Sequence, residues 1–212
     1  DRDAGIGSWT RDEFARAVRR GISPEGYAYY AAFPYEFYGE MTDRDIADLW
    51  AAINALPEIE RVAPPNQVEF PFNMRVGLKF WRPLFERAYD HAANPDRSVS
   101  WNRGKFMVEG VAHCGACHTP RNLVGGLRTG DSLAGNPEMM DGSEAPPLTA
   151  ARLRSAGWTR QNLVIALRTG IMPDGDVFGG AMAEVVNEST SFLMQQHLED
   201  MATYLLDEES SE

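Results

Sequence analysis

Apolar residues recur at helical spacing through much of the chain, and strand-like alternation is nowhere sustained. Phe14 and Val18 stand four apart in a segment that predicts a helix near Asp12–Arg20; Leu163 and Leu167 do the same for one near Arg160–Arg168. Thr10 and Thr159 sit where N-caps are expected, Gly21 and Gly170 where a left-handed stop is expected, and Pro24 and Pro173 prevent resumption. Further amphipathic helices are predicted over Thr42–Leu56, Trp101–His113 and roughly Met194–Leu206, with Gly104, Phe106 and Gly110 available for a close crossing against the last of them near Tyr204. Between them, 57–98 is rich in proline and then in aromatics. There Phe80, Trp81, Leu84 and Phe85 predict one face of a short helix, which packs the domains together or docks a partner. The expected class is all-α with long loops.

The same pattern occurs twice. Shifted by 149 positions, Trp9-Thr10-Arg11 falls on Trp158-Thr159-Arg160, Gly21-Ile22 on Gly170-Ile171, Pro24 on Pro173 and Gly26 on Gly175. Both copies run on into a terminal helix, so two related domains are expected.

Composition narrows the function classes. No apolar run approaches the ~18 residues of a membrane span. The net charge of −11 argues against a nucleic-acid partner, which needs a basic face. It suits either steering toward a redox partner with basic patches or a solvated acidic surface.

The sharpest chemistry is Cys114-Gly115-Ala116-Cys117-His118, which holds both cysteines of the chain. Two thiols at this spacing can each add across a vinyl group of a haem, and the adjacent histidine is then held under the iron. A structural zinc site would need two more Cys or His ligands, and none of His91, His113 and His197 forms a suitable pair. A thioredoxin-like dithiol needs a βαβ context, and the flanks read helical. Covalent haem attachment implies an oxidising compartment, expected to be a bacterial periplasm.

A thioether opposite His118 would suit electron transfer by raising the potential and closing the iron. Met182 is the expected sixth ligand, read as lying in a Gly-rich loop where Gly179-Gly180 admit close backbone approach; Met172 is second choice. Met194 and Met201 are expected to fill core, and Met139 and Met140 come too early. Pro146 is expected to present a carbonyl to the far nitrogen of His118. Arg121, Arg128 and Trp158 are candidates to pair with the haem propionates.

Trp101-Asn102-Arg103-Gly104, Val108-Glu109-Gly110, Cys114 to His118, and Thr119-Pro120-Arg121-Asn122 resemble the multi-haem cytochrome c subunits of bacterial membrane-associated dehydrogenases, which oxidise alcohols, gluconate, fructose, aldehydes or N-heterocycles. Gly5-Ile6-Gly7-Ser8-Trp9-Thr10, Ala32-Phe33-Pro34-Tyr35, Phe70-Pro71-Phe72-Asn73 and Met182-Ala183-Glu184-Val185-Val186 are similar to the same family, so the resemblance covers most of the chain. It implies two class I-like cytochrome c domains: the C-terminal part of a first over 1–62, a linker with a short helix over 63–97, and a complete domain over 98–212. It also supports Met182 as ligand by position. The implied function is relay of single electrons between a dehydrogenase subunit, or another cytochrome, and a respiratory acceptor, without bond-making catalysis. The alternative is a haem enzyme or ligand sensor with an open iron, peroxidase-like or thiosulfate-oxidising.

One covalent haem c is expected in this chain, and a second if the first copy's attachment segment precedes Asp1. Phe33 occupies the position matching Met182 and cannot ligate iron; Met41 is the nearest substitute in the first copy, although a hydrophobic-staple role is its default.

Overall fold

The two copies of the repeat fold alike. In the first, helix α1 (Arg11–Arg20) is opened by a capping box: Thr10 Oγ1 accepts from Glu13 N, and Glu13 accepts from Thr10 N at 2.8 Å. In the second, helix α7 (Arg160–Thr169) repeats the device, with Thr159 accepting from Asn162 N and Asn162 accepting from Thr159 N at 2.7 Å. Each helix ends on a left-handed glycine, Gly21 at φ 56° and Gly170 at φ 77°. The turns that follow match bond for bond. Ser23 N donates to Tyr27 O, Gly26 N to Ser23 O and Tyr29 N to Gly21 O; Met172 N donates to Asp176 O, Gly175 N to Met172 O and Phe178 N to Gly170 O.

The structure is a computed structural model. It describes residues 1–212 apart from 4, 40, 63, 65–66, 71, 87–91, 140–141 and 209–212, so Met140, His91 and the acidic tail from Glu209 lie outside the described residues. The chain divides into two compact units, Asp1–Asp90 and His91–Glu212. Among the described residues, β-structure is confined to isolated bridges such as Ile22 with Ala28 and Ile171 with Val177, which makes the fold all-α.

In the first unit, α1 packs against helix α2 (Asp43–Asn54) around Phe14, Val18 and Ile46, with Trp50 and Phe14 ring centroids 4.9 Å apart. Gly21 serves twice, because its φ is left-handed and a Cβ there would stand 2.3 Å from the buried Tyr35 ring. Helix α3 (Leu78–Phe85) belongs to this unit. Its Arg82 donates to the terminal α1 carbonyls of Arg20 and Gly21, pairs with Glu86 at 2.5 Å and lies 4.7 Å over the Tyr35 ring. The single apolar face expected for this helix divides in two. Trp81 and Phe85 are half-buried, whereas Phe80 and Leu84 are exposed, since the two i, i+4 pairs point in different directions around the helix.

In the second unit, the predicted helix Trp101–His113 begins earlier and changes character. Helix α4 (Val99–Lys105) starts after Ser98, whose side chain accepts from Trp101 N, and Phe106–Val111 continues as π-helix. α4 crosses the closing helix α9 (Gln195–Leu205) so closely that a Cβ on Gly104 would lie 1.9 Å from the Asp200 carbonyl oxygen. Asp200 is fully buried at this crossing and accepts from Ser100 (2.5 Å), Gln196 (3.0 Å) and Arg103 (3.3 Å). The core here combines Val108, Leu163, Leu167, Leu198, Met201 and Leu205 with Leu153 of helix α6 (Ala150–Ser155). Met201 fills this core as expected, but Met194 is exposed, because it is the N-cap of α9 rather than part of its packed face.

Candidate haem-binding site

The attachment pentapeptide is delivered by the end of the π-segment. Ala112 N donates five residues back to Met107 O, Cys114 N reaches Val108 O at 3.0 Å, and His113 takes a left-handed φ of 40°. The chain then makes one short turn of helix, α5 (Gly115–His118), with His118 N donating to Cys114 O at 2.9 Å. Residues three and four apart in such a turn share a face, so Cys114, Cys117 and His118 are presented together. Cys114 is half-buried and Cys117 exposed. Burial pushes the Cys114 thiol up to about 12, so it stays protonated.

His118 is oriented by the loop beyond it. Gly135 N donates to His118 O at 2.9 Å, and the Thr119 hydroxyl, fully buried, accepts from Leu133 N at 3.1 Å. Asn136 and Ala145 exchange both backbone bonds, and Leu148 N donates to Leu133 O, so 133–136 and 145–148 are laced side by side. Gly135, at φ 92°, is needed for this approach, since a Cβ would stand 2.9 Å from Pro147 N. The result is a Pro146 carbonyl oxygen 2.6 Å from His118 Nδ1. A carbonyl only accepts, so Nδ1 carries the proton and the Nε2 lone pair is left free. Burial holds the imidazole below its usual range, against the opposing pull of the Pro146 bond, and favours this neutral form.

The remaining expected residues are distributed around this turn. Met182, Trp158 and Cys114 are each half-buried against the same apolar core. Met182 lies in helix α8 (Gly180–Glu188), not in the Gly-rich loop expected for it; Gly179 is the N-cap, and the Ala-Met-Ala-Glu run sustains helix. Met172 is held in the tight turn after α7. Arg121, expected beside the propionates, donates to the carbonyls of Gly125 (2.8 Å) and Ala116 (3.1 Å) and so braces α5; Arg128 pairs with Asp131 at 2.6 Å. Two contributors went unread in the sequence. Thr119 and Gly135 build the latch behind His118, and only the small residue in Leu133-Ala134-Gly135 hinted at a close approach. Tyr204 also donates its hydroxyl to Glu109 beside Cys114, and burial with that carboxylate raises the phenol well above its ordinary value.

Among the described residues, no group of three or more His, Cys, Asp or Glu side chains is arranged to hold a metal ion. Two thiols and one imidazole with a free nitrogen do not complete a coordination shell by themselves. They fit a group that brings its own equatorial ligands, as a haem does.

The first unit carries an apolar cavity of about 460 Å³ lined by Trp9, Phe14, Val18, Tyr29, Phe33 and Arg75 among others. Under the repeat, Trp9, Phe14, Val18 and Phe33 match Trp158, Leu163, Leu167 and Met182. The cavity wall is therefore the first copy's version of the face that borders Cys114 and Met182 in the second.

No family model matches the chain. It is similar to a nicotinate dehydrogenase subunit of Pseudomonas putida, 39% identical over 97% of this chain but 17% of that protein. It is similar to a "diheme cytochrome c-type" protein of Cereibacter sphaeroides, 38% identical over 97% of this chain and 68% of that protein. With the fructose dehydrogenase cytochrome subunit of Gluconobacter japonicus it shares 34% identity over 95% of this chain and 41% of that protein. The chain thus spans about a sixth of the first of these relatives and less than half of the third.

Proposed function

The chain belongs to the family of c-type cytochromes found among bacterial dehydrogenase subunits; from that premise we propose that it is an electron-transfer protein rather than an enzyme in its own right, and that its second unit carries one covalently attached haem c and relays single electrons between a dehydrogenase, or another cytochrome, and a respiratory acceptor. The observation that carries this reading is the His118–Pro146 bond, which fixes a neutral imidazole with Nε2 free on the same helical turn as both thiols. A haem bound here supplies the one-electron ferric–ferrous couple. Cys114 and Cys117 would tether it, each thiol adding its sulfur and its hydrogen across one vinyl group. His118, through its free Nε2, and Met182 would be the protein ligands to its iron. Pro146 holds the imidazole in place, Arg121 braces the attachment turn, and Trp158 is the residue that would pair with a propionate.

We assign the protein to the periplasm, where such attachment occurs. Its charge of −11 fits a partner that docks through a basic patch, at a rate that falls with salt. Among the described residues no helix is long and apolar enough to cross a membrane; membrane association through a partner subunit is part of the same proposal. The cavity of the first unit, with its repeated wall, supports a second haem seat there, and the Cereibacter sphaeroides relative is named for two haems.

The ligand set is tested by the weak far-red absorption band that a thioether-ligated ferric haem carries. Met182→Ala is expected to abolish it and Met172→Ala to leave it intact. The reverse pattern would overturn the assignment, and absence of the band from the native protein would favour an open-iron haem enzyme or sensor instead.

A further inference from the structure

Between α5 and the latch behind His118 the chain makes a tight turn, 122–126, that presents two apolar side chains to solvent. Leu123 is fully exposed and Val124 is more than half exposed. The backbone beneath them is nonetheless firmly held. An antiparallel bridge between Arg121 and Leu127 closes the base of the turn. The Asn122 side-chain oxygen accepts from Val124 N at 3.1 Å and from Gly126 N at 2.9 Å; Asn122 N donates to Gly126 O and Gly125 N to Asn122 O, each at 2.9 Å. Arg121 then ties the turn to the attachment segment. One guanidinium nitrogen donates to Gly125 O at 2.8 Å, and the other to Ala116 O, between the two cysteines, at 3.1 Å. Cys117, next to Ala116, is the exposed thiol of the pair. From His113 to Leu127 the sequence holds no acidic residue, in a chain of net charge −11.

We propose that the Leu123-Val124 turn is the contact through which a redox partner docks, entering an apolar recess of a partner protein whose rim is basic. The inference rests on reading the second unit as an electron-transfer cytochrome. A single exposed leucine is ordinary on a protein surface. Leu123 differs in that its turn is fixed to the segment carrying Cys117, so the apolar tip and the exposed thiol move as one piece. A contact group that is already ordered loses little conformational freedom when a partner closes over it. The charge pattern agrees, since an apolar centre without acidic groups, set in an acidic chain, is the complement of an apolar recess with a basic rim. Charge then governs the approach, and the apolar contact governs how long the complex lasts.

The test uses the holoprotein, matured in a host that attaches haem c, with a small, strongly basic c-type cytochrome as the probe. Its dissociation constant on the immobilised holoprotein is measured at low and at moderate salt. Leu123→Ser combined with Val124→Ser should weaken binding about tenfold at both salts, chiefly through faster dissociation, because apolar contact is not screened as charge is. Leu123→Met should bind as the native protein does. Phe192→Ser, which removes an exposed apolar side chain elsewhere in the same unit, should leave binding unchanged. Reduction by hexaammineruthenium(II), a small cation that gives up one electron without needing a docking surface, should proceed equally in all of these proteins. Unchanged binding in the double variant would overturn the docking assignment while leaving the electron-transfer reading intact. So would a loss shared by Phe192→Ser, or a native holoprotein that does not bind the probe. Absence of covalent haem by intact mass would instead remove the electron-transfer reading itself, and the inference with it.

Discussion

Gly104→Ala is the most stringent test of how the attachment segment is supported. The new Cβ would stand 1.9 Å from the Asp200 carbonyl oxygen and 2.8 Å from Tyr204 Cβ. Comfortable contact needs well over 3 Å, so α4 and α9 must separate by roughly 1–1.5 Å. That displacement strains the Ser100–Asp200 bond, 2.5 Å long, around a carboxylate with no solvent exposure. It also loosens the packing of Val108 against Leu198 and Met201, all fully buried. Overpacking costs about 1–3 kcal/mol, and a compromised buried hydrogen bond adds about 1–3 kcal/mol. Arg103 is half exposed and adds little. The helix propensity gained by replacing glycine returns about 1 kcal/mol. The net expectation is a loss of about 1–5 kcal/mol, or roughly 10 °C in melting temperature at the middle of that range. Thermal unfolding of the holoprotein, followed by far-ultraviolet circular dichroism and by the Soret band, measures it. Gly130→Ala is the control in the same unit, because nothing lies within 4 Å of a Cβ there. A Gly104→Ala protein melting within about 2 °C of the parent would refute the close crossing.

Two further expectations concern stability. Tyr204 and Tyr35 are held protonated, chiefly by burial and then by the carboxylates of Glu109 and Glu86. An unfolded phenol ionises near pH ~10, so the unfolded chain releases these protons first; stability is intact below that value and falls as pH rises above it. Urea midpoints measured between roughly pH 9 and 11 should therefore decline, less steeply in Tyr204→Phe, and an identical decline in that variant would contradict the assignment. Thr159→Ala removes the bond from Asn162 N to the Thr159 hydroxyl, keeping the one from Thr159 N to the Asn162 side chain, and should cost about 1 kcal/mol in denaturant unfolding, with Thr159→Ser recovering most of it.

What could be read from the chain in advance was whatever local chemistry decides. Thr10 and Thr159 announce their helices by capping, and Gly21 and Gly170 close them, so α1 and α7 emerge within a residue of expectation. The Pro146 carbonyl was foreseeable because a proximal histidine needs a second partner and Pro146-Pro147 is extended. Other features are set by tertiary packing. Six residues cannot distinguish a π-period from an α-period, and Phe106–Val111 adopts the wider turn while carrying Cys114 N to Val108 O. Gly179-Gly180 read as loop because glycine is a poor helix former, yet Gly179 is a cap and the residues after it sustain α8 around Met182. Phe80/Leu84 and Trp81/Phe85 have identical spacing, and which pair is covered depends on Arg82 reaching the end of α1.

The two units share a framework of caps, stops and turns around a position where they differ. The capping boxes, the left-handed stops, the turn after each first helix, and the arginine that ties that helix to the loop ahead of the closing helix are all duplicated; Arg19 donates to Met41 O and Arg168 to Ser191 O, each at 2.8 Å. One matched position is not duplicated. At that position residue and backbone change together, Phe33 with Pro34 against Met182 with Ala183.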